Sequence, residues 1–438
     1  MIGVGLSATL AGGRKSRVNL DPMPALDLNF AANRSLPADY GPTPSFSRAS
    51  TGTYFNSSGV LTSAAVNVPR FNHVYSGGSW VSRGLLIEEQ RTNVIPKSNT
   101  FSVWQLTDAV ITSDNTTAPD GTLNSDLVTF TASGTIPRVV QYGSFNTVSG
   151  TAYTKSIYVK SGTQRYFQLV WSGGFGAKYA NFDTQDKVAA TVSAGVTASV
   201  TDCGNGWYRY SATITASGNS SNDQFWIYAV DSGSAGWAPA SSSGGTMWLF
   251  GAQYEAGAFP SSFIVSDSGS ATTRSADVCQ ITGTSFSSFW NASEGVAAFE
   301  GDSYSTLTSD QLAFSFDDNS NSNAFFGSRS ISTLVTDFGV GFRSGGSAVA
   351  TLTSGAGVAP TGSGFKVAAG YKVNDFAASI NGAAVLTDTS GAVPSGVSQL
   401  LIGRCAWVGA PFTWNGHISR LRYYPTRLTN DQLQSLST

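Results

Sequence analysis

The chain has 438 residues, with 25 Lys and Arg against 27 Asp and Glu, so its net charge is -2 and only 12% of positions are charged, about half the ~25% of ordinary soluble domains. That balance supplies no basic field for nucleic acid or for an anionic membrane surface, and it excludes both as partners. Hydrophobic residues at 41% and aromatics at 12% are ample for sizeable cores, which argues against disorder. Gly, Ser and Thr take the place of charge, and the missing Lys and Glu are the residues helix surfaces normally carry, so the composition predicts an all-β fold.

Cys203, Cys279 and Cys405 lie far apart with no CxxC pair, and they read as buried small hydrophobes. With only His73 and His417 beside them, the stock of metal ligands and general bases is thin. No apolar run approaches the ~20 residues of a membrane span. The basic cluster Arg14, Lys15 and Arg17 follows the apolar opening instead of preceding it, so no secretory signal is expected.

In chain order, three regions separate. Residues 1–95 open with a Gly-rich basic arm, then a strand at Leu26–Phe30, then hairpin grammar around Asn56-Ser57-Ser58-Gly59, and close with Gly84 to Asn93. Residues 96–270 carry repeated alternating runs at Thr154–Lys160, Tyr166–Trp171, Tyr208–Ile214, Gln224–Val230 and Met247–Phe250, spaced as in a β-sandwich. A polar linker, Ser266 to Ser275, precedes the third region, 271–438. Its strands are predicted at Gly295–Glu300, Leu312–Phe316, Phe365–Tyr371, Phe376–Ile380 and Leu400–Gly403, with an Asn381-Gly382 hairpin turn. Thr429-Asn430-Asp431-Gln432 is a capping box that should start a short helix ending near Leu436. The fold expected is an N-terminal arm with a small β-domain, followed by two β-sandwich, jelly-roll domains.

Phe46 to Phe55, Val68 to His73 and Gly84 to Asn93 together resemble a module of tailed-bacteriophage structural proteins, the head spike or head fibre domain, which also occurs in tail-fibre proteins. Ala118 to Thr122, Asn205 to Arg209 and Gly251 to Pro260 are similar to segments of carbohydrate-binding jelly rolls. Trp414 to Ile418 and Arg422 to Thr429 resemble a laminin-G or concanavalin-like sandwich. The resemblance implies a virion surface protein, anchored to capsid or tail through its N-terminal region, trimeric as such fibres commonly are, and facing host-surface polysaccharide. A tail-fibre adhesin is the alternative, and a glycan-degrading enzyme a weaker third.

Sugar recognition needs flat apolar faces and planar polar groups. In the middle region Trp171, Tyr179, Trp226, Tyr228 and Trp237, with Gln224, are the carbohydrate-binding candidates, and Gln168, Asn181 and Arg165 lie near them in sequence. Alternation places Gln224, Trp226 and Tyr228 on one face of a strand and Phe225 and Ile227 on the other, the core side. A packed interior is the competing reading for each. Trp407 flanks a Gly-Ala-Pro loop in the last region and is a further candidate, against a packed hairpin tip. Asp317 and Asp318 are the best calcium-like pair, although consecutive residues diverge and an Asx turn explains them better, so no cofactor is expected. Glu88 and Glu89 are adjacent and face opposite ways on a strand, and no nucleophile motif accompanies either histidine, so no catalytic residue is assigned.

Overall fold

Alternation of apolar and polar residues builds half-buried strands, and their pairing decides which regions share a core. The computed structural model describes residues 23–438, apart from 134, 240–241, 305–309, 331–336, 356–357, 359, 406 and 408–411. The basic arm expected at the N-terminus and the Gly409-Ala410-Pro411 loop lie outside the described residues. The fold is all-β. Its described helices are the short segments Phe30–Asn33, Gly283–Ser287 and Asn430–Leu436 with two single 3₁₀ turns, and none is long and apolar enough to cross a membrane.

The middle region is a sandwich of two six-stranded antiparallel sheets. One runs, edge to edge, through Thr197–Asp202, Trp207–Thr215, Ala152–Ser161, Ser242–Ala256, Leu123–Ser133 and Ala109–Thr117. The other runs through Val188–Val192, Lys178–Asp183, Tyr166–Trp171, Ser220–Val230, Arg138–Thr147 and Gln105–Thr107. Ile157, Val159 and Leu249 from the first sheet meet Phe167, Leu169, Phe225 and Ile227 from the second in one buried cluster.

The second sandwich packs an eight-stranded sheet against a seven-stranded one. The first region is built into it. Leu26–Leu28 and Ser79–Ile87 both pair with Gly416–Tyr424, Phe71–Ser76 extends that sheet, and Ser45–Ser47 pairs with Val278–Thr282 in the opposite sheet. Leu26, Leu28, Leu85 and Ile87 therefore share one core with Phe299, Phe314, Trp414 and Ile418. The remaining piece, the hairpin of Gly52–Phe55 with Leu61–Ala64, turns the other way. Leu61 joins Tyr158, Trp207, Phe250 and Phe263 on the outer face of the middle sandwich. Residues 23–95 thus bridge the two sandwiches.

Local signals explain most departures from expectation. The strand opening at Leu26 stops at Leu28 because Asn29 Oδ1 accepts the Ala32 N–H (3.3 Å) and starts the one-turn helix at Phe30. Asn381 and Gly382 form a turn with both φ positive (49° and 69°), yet pairing resumes only at Leu386–Asp388. The polar stretch Ser266 to Ser275 is packed down: Thr272–Arg274 pairs with Arg91–Asn93, and Asp267 accepts from Ser98 Oγ and Asn99 N. Free cysteines Cys203, Cys279 and Cys405 are all buried.

The capping box forms as expected: the Gln432 N–H donates to Thr429 Oγ1 (3.3 Å) and the Thr429 N–H to Gln432 Oε1 (2.8 Å). It presents Leu433 to Val296, Ala368 and Ala377. Thr429→Ala is expected to lower stability by about 1 kcal/mol in urea unfolding, the usual cost of losing an N-cap.

Candidate functional site

On the second sheet of the middle sandwich, the side chains divide as alternation predicts. Phe225, Ile227, Phe167 and Leu169 are in the core, while Gln224, Trp226 and Tyr228 face outward beside Tyr179. Trp226 stacks on Tyr228 with centroids 5.6 Å apart and planes at 23°, and its Nε1–H donates to Gln224 Oε1 (2.5 Å). A loop crosses this face and is pinned there by the planar polar groups that could otherwise have met a sugar. Asn181 Nδ2 donates to the carbonyls of Gly233 (3.1 Å) and Ala235 (2.7 Å), and Gln168 Nε2 donates to that of Gly236 (2.9 Å). Tyr228 is left 4% exposed beneath it. Trp237, on the same loop, is 41% exposed and donates from Nε1 to the Trp171 carbonyl (3.4 Å).

Trp171 itself is fully buried in the sandwich core and presents no face to a ligand. Parity explains this, because it follows Phe167 and Leu169 at a spacing of two. Trp407 is half-buried and packs edge-on against Phe326, with centroids 5.0 Å apart. Asp317 and Asp318 are acceptors in a tight turn: Asp317 takes Ser315 Oγ, Asn319 N and Gln399 Nε2, and Asp318 takes Ser320 and Asn323. Among the described residues no group of three or more His, Cys, Asp or Glu side chains could hold a metal ion.

A second concavity, unannounced by the sequence reading, lies where all three regions meet. It is a cleft of about 440 Å³, within the usual range of small-ligand sites, and its walls are mostly apolar. A tight hairpin supplies one wall. Gly77 and Gly78, with φ of 59° and 81°, join Phe71–Ser76 to Ser79–Ile87 and set Tyr75 directly opposite Trp80. The Trp80 ring lies 5.5 Å from Tyr75 and 4.9 Å from Phe55. Gly59 holds it in place: a Cβ there would sit 2.1 Å from the indole nitrogen. The Gly-Gly turn is a local signal for the hairpin and its paired aromatics, but much of the remaining lining, from Asp202 and Arg209 to Asp302 and His417, comes from residues more than a hundred positions away.

That wall is polar. Asp302 accepts from His417 Nδ1 (2.7 Å) and lies 4.0 Å from Arg83. Asn72 fixes the histidine tautomer. Its Oδ1 already accepts the Phe55 N–H (2.8 Å), so its Nδ2 donates to His417 Nε2 (2.8 Å), leaving the ring proton on Nδ1. Both ring nitrogens are engaged. Burial pushes His73 below the ordinary histidine value, and its Nδ1 faces the Phe55 carbonyl at 3.3 Å. The Cys203 thiol is pushed up to about 12 by burial and stays protonated. Asp202 accepts from Tyr208 (3.1 Å) and from the Gly204 N–H (2.8 Å). Arg209 is tied to the Ser261 carbonyl and Ser156 Oγ. Arg83 is different: it is one-third exposed, and its contact with Asp302 is too long for a hydrogen bond, so its fork of donors faces the cleft. An indole face and a guanidinium in one cleft, with oriented amide and carboxylate groups beside them, are groups able to hold a polyhydroxylated ring.

No family model and no curated protein matches the chain. Among solved structures it is similar to the Ruminococcus gnavus IT-sialidase CBM40 bound to α2,3-sialyllactose, at 17% identity and TM-score 0.30, covering 34% of this chain and 84% of that one. It is also similar to domain 4 of the Geobacillus stearothermophilus arabinanase AbnA in complex with arabinotriose (16%, TM-score 0.28, 37% and 73%). A third is the leech intramolecular trans-sialidase complexed with 2,7-anhydro-Neu5Ac (16%, TM-score 0.31, 36% and 26%). Likeness of this order does not identify which residues of this chain meet a ligand.

Proposed function

We propose that this protein is a non-catalytic glycan-binding component of a tailed-phage virion surface, and that the cleft between its sandwiches is where the saccharide sits. The observation that carries the binding reading is the cleft itself, lined by the Trp80 and Tyr75 rings and by Arg83, whose contact with Asp302 is too long for a hydrogen bond. The virion reading rests on the resemblance of Phe46 to Phe55, Val68 to His73 and Gly84 to Asn93 to the head-fibre module. These segments lie in the stretch that bridges the sandwiches, and they contribute Tyr54, Phe55, Asn72, His73 and Leu86 to the cleft. A single site of this kind binds weakly, and repeated copies on a particle would raise avidity by ~10²–10⁴.

The test is binding of the purified chain to host-surface polysaccharide and to an arrayed set of saccharides, with chain length of the polysaccharide followed in parallel. Trp80→Ala and Arg83→Ala are each expected to weaken binding by about tenfold or more, which corresponds to ~1.4 kcal/mol. Trp226→Ala, on the loop-covered face, should leave binding unchanged. Loss of binding in Trp226→Ala with wild-type behaviour in Trp80→Ala would move the site to the outer sheet face. Shortened polysaccharide would make the protein a hydrolase.

A further inference from the structure

Inside the middle sandwich, two charged side chains face each other from inward positions of the two sheets. Tyr153, Lys155, Ile157 and Val159 alternate onto the core side of Ala152–Ser161, and Asp223 lies on the core side of Ser220–Val230 in the facing sheet. Both residues are fully buried, and Lys155 Nζ is 3.7 Å from Asp223 Oδ2. The amine is enclosed by the rings of Tyr254 (4.8 Å) and Trp171 (5.0 Å) and donates to the carbonyls of Val170 and Gln224. The Tyr254 hydroxyl donates to Asp223 Oδ2, and Asp223 Oδ1 has no hydrogen-bond partner.

We propose that Lys155 and Asp223 form an intramolecular isopeptide bond that covalently joins the two sheets of the middle sandwich. Removing both charges from water is costly, and with Asp223 Oδ1 left without a hydrogen bond that cost is only partly offset for the pair as ions. Transfer of one proton from the ammonium to the carboxylate gives a neutral amine and a neutral acid within reach of each other. The amine nitrogen then bonds to the Asp223 side-chain carbonyl carbon. That carbon's bond to the hydroxyl oxygen breaks, and the nitrogen gives up one proton so that the oxygen leaves as water. Atoms balance with no other reactant. Burial makes the first step less costly, since it pulls the Lys155 amine down to about 8 even against the neighbouring carboxylate. Tyr254 holds the carboxyl oriented, and the surrounding aromatics keep out the water that would reverse the reaction.

The test is the intact mass of the denatured full-length chain, followed by sequencing of its proteolytic fragments. The expected result is a mass lower than the sequence by one water, a branched fragment joining Lys155 to Asp223, and the full sequence mass in Lys155→Met. A wild-type chain at full sequence mass overturns the proposal. So does a water loss confined to a single fragment around Asp223, which would be a succinimide, or one that persists in Lys155→Met.

Discussion

Asp277→Ala is expected to lower stability by about 3–5 kcal/mol, the range measured when one partner of a buried ion pair is removed. Asp277 accepts from Arg48 Nη1 (3.1 Å), Arg70 Nη2 (2.5 Å) and the Glu88 backbone N–H (2.9 Å), and Arg274 approaches to 4.0 Å. Glu88 pairs with Arg70 (2.7 Å) and Arg274 (3.5 Å) and accepts from Ser262 and Tyr304. All of these charged side chains are at most 1% exposed. Three guanidiniums face two carboxylates, so the cluster already holds one positive charge in excess, and removing Asp277 would leave three against one. The cluster is where the bridging segments, the middle region through Ser262 and the last region through Asp277 and Tyr304 are joined. Its loss should therefore uncouple the sandwiches, visible as a second transition in chemical denaturation. Asp277→Asn keeps several of the hydrogen bonds and should lose less.

The same cluster makes the fold sensitive to acid through Glu88. Burial alone would raise the Glu88 carboxyl, but Arg274 and Arg70, with Ser262 and Tyr304, outweigh it and hold the group far below the ordinary value. A depressed carboxylate contributes its full stability above the unfolded value of about 4.3 and loses it as pH falls toward the folded one. Glu88→Gln should remove that acid dependence, measured as a flatter stability curve below about pH 4.

Gly84→Ala is the second large effect. Gly84 has φ of +90°, at the bulge where pairing slips between Asn72–Gly84 and His73–Ser82. A Cβ there would lie 2.2 Å from the Ile418 carbonyl oxygen and 2.9 Å from Ser419 Cα, both backbone atoms of the neighbouring strand. The left-handed conformation alone costs about 1–3 kcal/mol for a non-glycine residue, and the clash adds displacement of the strand that carries His417. Both stability and saccharide binding are expected to fall. Gly77→Ala is the control. It shares positive φ but meets nothing within 4 Å, so it should lose only the conformational part and keep the cleft.

What was legible in the sequence followed the reach of each signal. Strand runs such as Tyr166–Trp171 and Phe376–Ile380 match their observed bounds, and the Thr429 box starts its helix, because these depend on neighbours within a few positions. The same period-two rule that put Trp226 and Tyr228 outward would have put Trp171 inward with Leu169, and it would have flagged Lys155 as a charge among core positions. Pairing across regions carries no local signature. Nothing near Arg48 announces Asp277, 229 positions away, and nothing near Trp80 announces Arg209 or Asp302. The cleft and the ionic cluster both arise from such distant pairings, which the local aromatic pattern behind Trp171, Tyr179, Trp226, Tyr228, Trp237 and Trp407 does not report.

On the proposed function, a saccharide sits in the cleft that Trp80 and Arg83 line, at the junction that residues 23–95 create. A crystal structure of the full chain soaked with a saccharide that it binds tests this most directly. The expected result is a sugar ring stacked on Trp80 with its hydroxyls toward Arg83 and Asp302. A sugar seated on Trp226 and Trp237, with the junction cleft empty, would contradict it.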